Sequence, residues 1–150
     1  MKDQAIAPKE LDKISVGFVI RSHDLDPATV TVELGLKPTN AYKREDLVSP
    51  GSDHKRPWGL WALDTEGAVD SDELQDHIDY LLDIIFPKQS EIQKYMNDPT
   101  CYVAVRVDWQ LNYYAGGYSV SASRLRKIAT LCNHFDYAFL ISEPNNQPTN

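Results

Sequence analysis

The sequence predicts an α+β fold: a four-stranded, mainly antiparallel sheet with helices packed on one face, in a ferredoxin-like or related split β-α-β arrangement. Two stretches carry the prediction. Along CYVAVRVDWQL, Cys101, Val103, Val105, Val107, Trp109 and Leu111 alternate with Tyr102, Ala104, Arg106, Asp108 and Gln110. Ile14, Val16, Phe18 and Ile20 alternate in the same way with Ser15, Gly17, Val19 and Arg21. A period of two with one dry face belongs to a sheet covered on one side, whereas a central parallel strand is apolar on both. Helical stretches separate the strands, which gives the order strand, helix, strand, helix pair, strand, helix, strand.

Each element has its own warrant. Strand one is 14–21. In the segment that follows, Val30, Val32 and Leu34 alternate like a strand, but Asp26 is a good N-cap, Pro27 fits the first turn, Gly35 suits the exit and Pro38 blocks continuation. A short helix is therefore expected. Residues 37–57 read as a long, locally basic loop with Lys43, Arg44, His54, Lys55 and Arg56, of the length that is commonly functional or disordered. Trp58, Leu60, Trp61 and Leu63 then form a strand apolar on both sides, suited to the middle of the sheet or to an edge that dimerises.

From Ser71 the period becomes helical, with Leu74, Ile78, Leu81, Leu82 and Ile85 as one stripe, Ser71 or Asp70 as cap, and Pro87 as interruption. A second piece from Lys88 to Asn97 turns Ile92, Tyr95 and Met96 inward, and Asn97-Asp98-Pro99 leads into the strand at 101. Gly116 and Gly117 end that strand. Ser119 or Ser121 caps a helix at about 122–133 carrying Leu125, Ile128 and Leu131. A last strand runs from Asp136 to Ser142 with Tyr137, Phe139 and Ile141 on one face, and the remainder reads as a frayed tail.

The whole chain, 1–150, is expected to be one domain with a core at about 14–142 and flexible ends. With 15 basic and 22 acidic residues the net charge is −7, which disfavours phosphate-backbone binding and favours a basic protein partner over nucleic acid. Residues 1–13 hold no apolar run and nowhere do 18 uncharged apolar residues follow one another, so a cytoplasmic protein without a membrane span is expected. Cys101 and Cys132 have no metal-site spacing and read as buried free thiols.

Asp72, Asp76, Asp79 and Asp83 recur at helical spacing opposite the apolar stripe, and no Lys or Arg relieves them from 70 to 87. Like charges at that spacing cost a few tenths of a kcal/mol per pair. A solvated face accounts for the pattern; the functional reading is a docking surface for a basic partner. His77 falls on the polar side of the same helix. His23, Asp24 and Asp26 gather at the end of the first strand, but capping explains Asp26 and no second histidine stands at ligand spacing, so no metal is expected. GxSxG, HExxH, phosphate-loop and GxGxxG signatures are all missing, and neither a catalytic residue nor a cofactor is assigned. Gly116 and Gly117 before a helix can offer backbone N–H groups to an anion, but without a surrounding fingerprint a turn is the better explanation. Trp58, Trp61, Trp109, Tyr113, Tyr114 and Tyr118 can line a groove, but strand aromatics usually belong to the core. Arg106 and Asp108 form an exposed pair of small worth.

DLDPATVTVELGLKPTNAYKRED, RPWGLWAL and GGYSVSASRLRKIATL together resemble a bacterial family described as domain of unknown function 4279, over about residues 14–142. The resemblance implies an Asp-Pro helix followed by Leu-Gly-Leu and a Pro-Thr step, and a glycine pair before a serine-capped helix. Lys43-Arg44-Glu45-Asp46 lacks the glycine that the family places before its aspartate. No activity comes with the resemblance. The expectation is a non-enzymatic binding domain, monomer or homodimer, of immunity or regulatory type, with Asp72, Asp76, Asp79 and Asp83 meeting a basic partner. The alternative is a small-molecule or anion sensor using Lys43, Arg44, Arg56, Trp58, Gly116 and Gly117.

Overall fold

The computed structural model describes residues 13–111 and 117–141, and the expected terminal tails lie outside them. The elements are β1 (Lys13–Ser22), α1 (Pro27–Leu34), β2 (Asn40–Tyr42), β3 (Gly59–Asp64), α2 (Leu74–Ile85), a 3-10 turn (Phe86–Lys88), α3 (Gln89–Met96), β4 (Tyr102–Leu111), α4 (Ala122–Ala129) and β5 (His134–Ile141). The sheet order is β2-β3-β1-β4-β5. β1 runs antiparallel to β3 and β4, β2 is antiparallel to β3, and β5 lies parallel to β4.

The class is α+β, as expected, but the count and the mixture differ from expectation: five strands, not four, and one parallel pair. β2 comes out of the stretch read as loop, since its three residues are too few to show a period. The order of the first four strands is compatible with the split β-α-β-β-α-β connection, and the α4-β5 crossover adds a parallel strand beyond it. The 58–63 segment is β3, internal between β2 and β1, so it offers no edge for dimerisation.

One face of the sheet meets all the helices. Val16, Phe18, Ile20, Trp61, Val103, Val105 and Val107 share one core cluster with Val30 and Leu34 of α1, Ile78, Leu81 and Ile85 of α2, Ile92 of α3 and Ile128 of α4. Phe18 and Trp61 meet edge to face at 6.3 Å. The Trp61 indole N–H donates to Thr31 Oγ1 at 3.0 Å, which gives the buried ring its partner.

Local chemistry sets the helix ends. Asp26 caps α1, its carboxylate accepting from the Ala28 N–H at 3.2 Å, and Gly35 closes it with a φ of 63°. Val32 is 81% exposed, which explains why valine alternation there misleads. α2 begins at Leu74 with Glu73 at the N-cap, a correction to Ser71 or Asp70. The Ser71 hydroxyl instead accepts from the Glu73 N–H at 3.1 Å and donates to Asp76 at 2.6 Å. Pro87 sits in the 3-10 turn that divides α2 from α3. Ser121 caps α4 through the Arg124 N–H, while Leu125, expected inward, is exposed and Leu131 takes the core beyond the helix end. Cys132 is buried and Cys101 half-buried, both as free thiols. Among the described residues, no helix is long and apolar enough to cross a membrane.

Candidate functional site

The face of the sheet opposite the helices stays open, and the alternate residues of β1, β3, β4 and β5 line it. At one end Arg21 stands between Leu60 and Tyr102 in register. Its guanidinium carbon lies 4.2 Å from the centre of the Tyr102 ring and 4.8 Å from that of Trp58. The Tyr102 ring in turn stacks on His134 at 4.2 Å with planes 12° apart. Its hydroxyl donates to the Asp136 carboxylate, whose oxygens lie at 2.7 and 2.8 Å. Burial and then this hydrogen bond push the Tyr102 phenol above its ordinary range. Stacking holds the rings and the guanidinium together.

Further along the same face Arg106 pairs with Asp108 at 2.8 Å, the exposed pair anticipated from the sequence. Asp64 lies beside Gly17 in register. Burial raises its carboxyl above the ordinary carboxylate range, against the lowering effect of the Glu66 N–H that it accepts at 2.6 Å.

The basic loop residues do not form a free cationic patch. Lys43 lies 3.5 Å from Asp26, Arg44 lies 3.6 Å from Asp24 and 3.5 Å from Glu45, and Lys55 lies 3.2 Å from Glu45. Arg56 lies over the Tyr42 ring at 4.2 Å and donates to the Val48 carbonyl at 3.0 Å, binding the loop to itself. These ion pairs are exposed and add little stability, but they neutralise the local excess of positive charge.

The aromatic residues do not share one groove. Trp61 and Trp109 are buried on the helix side, and Trp58 alone of the tryptophans is exposed. Trp109 meets Tyr118 at 4.6 Å, near the strand end where Lys13 pairs with Gln110. Trp58 lies with Arg21 at the opposite end, about 20 Å away at the usual rise per strand residue. Gly117 precedes Tyr118, so it falls far from Lys43, Arg44, Arg56 and Trp58. No positive φ marks it and a Cβ built on it would meet open space. Gly116, Tyr113 and Tyr114 lie outside the described residues. A cleft of about 990 Å³ opens near Trp109, between Asp70, Asp72, Phe139 and Leu140.

Of the expected acidic stripe, Asp79 and Asp83 face α4, whereas Asp72 precedes α2 and is not on the helix. Asp79 receives two hydrogen bonds from the Arg124 guanidinium at 2.8 and 2.7 Å. That bonding is the main cause holding its carboxyl below the ordinary range, against a smaller effect of burial. A small polar groove of about 360 Å³ gathers Asp79, Asp83, Arg124 and Lys127. The relief that α2 itself lacks therefore comes from 45 residues away, where a local reading cannot find it. Asp76 is taken by Ser71, and Asp72 offers its backbone carbonyl to the Tyr118 hydroxyl at 2.9 Å. His77, placed on the polar side by the sequence, is instead buried, bonded to Thr65 and Ser71. His23 bonds to Asp24 at 2.9 Å on the surface, and no group of three or more metal-ligating side chains occurs among the described residues.

Sequence reasoning missed Arg21 and His134 as partners in one stack. A signal existed in part: Arg21 and Tyr102 both fall on the polar phase of their strands. What the period cannot supply is register, which brings the two together.

These features define a single-sheet α+β domain with helices on one face and a mixed polar and aromatic face opposite. The chain belongs to the family described as "Domain of unknown function (DUF4279)", whose model matches residues 12–138. No curated protein and no solved structure matches the chain.

Proposed function

We propose that this is a non-enzymatic binding domain that receives an extended segment of a protein partner along the outer edge of β5. One observation carries the reading. Among the described residues β5 pairs only with β4, and its Phe135, Phe139 and Leu140 are 40%, 57% and 72% exposed. Edge strands present unpaired N–H and C=O groups and are usually blunted by prolines, bulges, outward charges or short length. β2, at the other edge, is three residues long. β5 is eight residues, and of its charged groups Asp136 is occupied by Tyr102. Strand addition satisfies the free backbone groups and lays alternate apolar side chains against Phe135 and Phe139.

The acidic face of α2 supports a basic partner less well, because Arg124 already holds Asp79 and Ser71 holds Asp76. Inhibition of immunity type is one use of such an edge.

Selection of displayed random peptides against the full-length chain tests the reading. The expected binders carry alternating apolar residues, lose about tenfold in affinity to Phe139→Glu, about 1.4 kcal/mol, and are indifferent to Asp72→Asn with Asp83→Asn. Failure to enrich any peptide, or loss on the aspartate variant instead, overturns it. A homodimer that dissociates on Phe139→Glu gives the edge to a second copy and overturns the foreign-partner form.

A further inference from the structure

We propose that Arg21 is the anchor of a second binding site, independent of the β5 edge, which takes the carboxylate of a flat organic monoanion on the open face of the sheet. The guanidinium lies against Tyr102 on β4 and Trp58 just before β3, at 4.2 and 4.8 Å. Tyr102 is itself backed by His134 and tied to Asp136. The guanidinium is thus held by β4 and by the residue that precedes β3, with β5 behind Tyr102.

Stacking restrains a guanidinium but uses none of its five N–H donors. Every other arginine of β1 to β4 has a polar acceptor: Arg44 has Asp24 and Glu45, Arg56 has the Val48 carbonyl, and Arg106 has Asp108. Beyond its strand pairing, the Arg21 side chain makes neither a hydrogen bond nor an ion pair among the described residues. Such a cationic fork, restrained before a ligand arrives, matches the two oxygens of a carboxylate. The neighbouring Asp136 disfavours a dianion, which selects a carboxylate over phosphate. Trp58, 37% exposed, supplies an apolar surface for the body of the ligand.

The test is a titration of the isotopically labelled full-length chain with benzoate, followed at the Arg21 Nε–H and Trp58 Nε1–H resonances. Benzamide, which has the ring without the charge, and inorganic phosphate are the controls. The expected result is a saturable shift of both resonances by benzoate, lost in Arg21→Lys, which keeps the charge but not the fork. It persists in Arg106→Gln, whose arginine shares the face. Absence of a saturable shift at Arg21 overturns the proposal, as does an equal response to benzamide or to phosphate. If Arg21→Lys does not fold, the wild-type Arg21 resonance with the two control ligands decides alone.

Discussion

The Thr65 hydroxyl lies 2.7 Å from His77 Nδ1 and 2.9 Å from the Val16 backbone nitrogen, all inside the core. His77 Nε2 lies 2.7 Å from the Ser71 carbonyl. A carbonyl only accepts, so Nε2 carries a proton; in the neutral ring Nδ1 then accepts from the Thr65 hydroxyl, which accepts from the Val16 N–H. One chain of hydrogen bonds thereby joins β1, the turn after β3 and the start of α2.

Thr65→Val keeps the volume and removes the hydroxyl, leaving the Val16 N–H and His77 Nδ1 buried without partners. The expected cost is about 2–6 kcal/mol, from about 1–3 for each of the two unsatisfied groups. Thr65→Ser should restore most of it, and His77→Leu should cost less on the Thr65→Val background than on wild type. Urea unfolding of the four variants measures this. Strict additivity would show that the hydroxyl and the ring do not act together.

The contrast between His77 and Asp26 shows what was legible. Asp26, Pro27 and Gly35 act on backbone groups within a few residues, so the sequence marks α1 at both ends. His77 is flanked by Asp76 and looks polar by phase, yet its partners are six and twelve residues away across a turn. Asp79 and Arg124 fail for the same reason at longer range, and so do Arg21, Trp58, Tyr102 and His134. Periodicity reports which face a residue occupies. It does not report register, and the candidate site is made by register. β5 adds a different limit: its parallel pairing with β4 depends on the α4 crossover and leaves no local trace.

Gly59 opens β3 where the Leu25 backbone passes close by. A Cβ built there would lie 2.4 Å from the Leu25 carbonyl oxygen, so one of two backbone segments must move. Gly59→Ala should destabilise by about 1–3 kcal/mol, the usual cost of overpacking. Gly117→Ala meets open space and should change stability little. Thermal unfolding that ranks the two variants the other way would contradict this packing.

Asp64 makes stability depend on acid in an unusual direction. Its folded carboxyl titrates above the unfolded one, chiefly through burial and with a contribution from Asp108. Between the ordinary carboxylate range and that raised value the folded state binds more protons, so its contribution to stability falls as pH rises through the window. Asp64→Asn retains an oxygen for the Glu66 N–H and removes the buried charge. It should be more stable than wild type at pH 7, with the advantage gone below the ordinary carboxylate range. Unfolding free energies across that range check it, and a gain independent of pH would refute the assignment.

Asp79 behaves with the opposite sign. Arg124 holds its carboxyl below the ordinary range, so the pair contributes fully above the unfolded value and is lost as pH falls through the folded one. The side chains are 49% and 28% exposed, and solvent and salt screen them. Asp79→Asn should therefore cost little at neutral pH and low ionic strength, nothing in strong acid, and less again in high salt. Arg124→Gln should reproduce both dependences, and the double variant should cost no more than either single one. If Asp79→Asn instead stabilised the chain at neutral pH, repulsion within the Asp76, Asp79 and Asp83 stripe would outweigh the bond to Arg124. The acidic face of α2 would then carry a net strain that only a basic partner relieves, and a measured rise in stability on charge removal would return that surface to consideration.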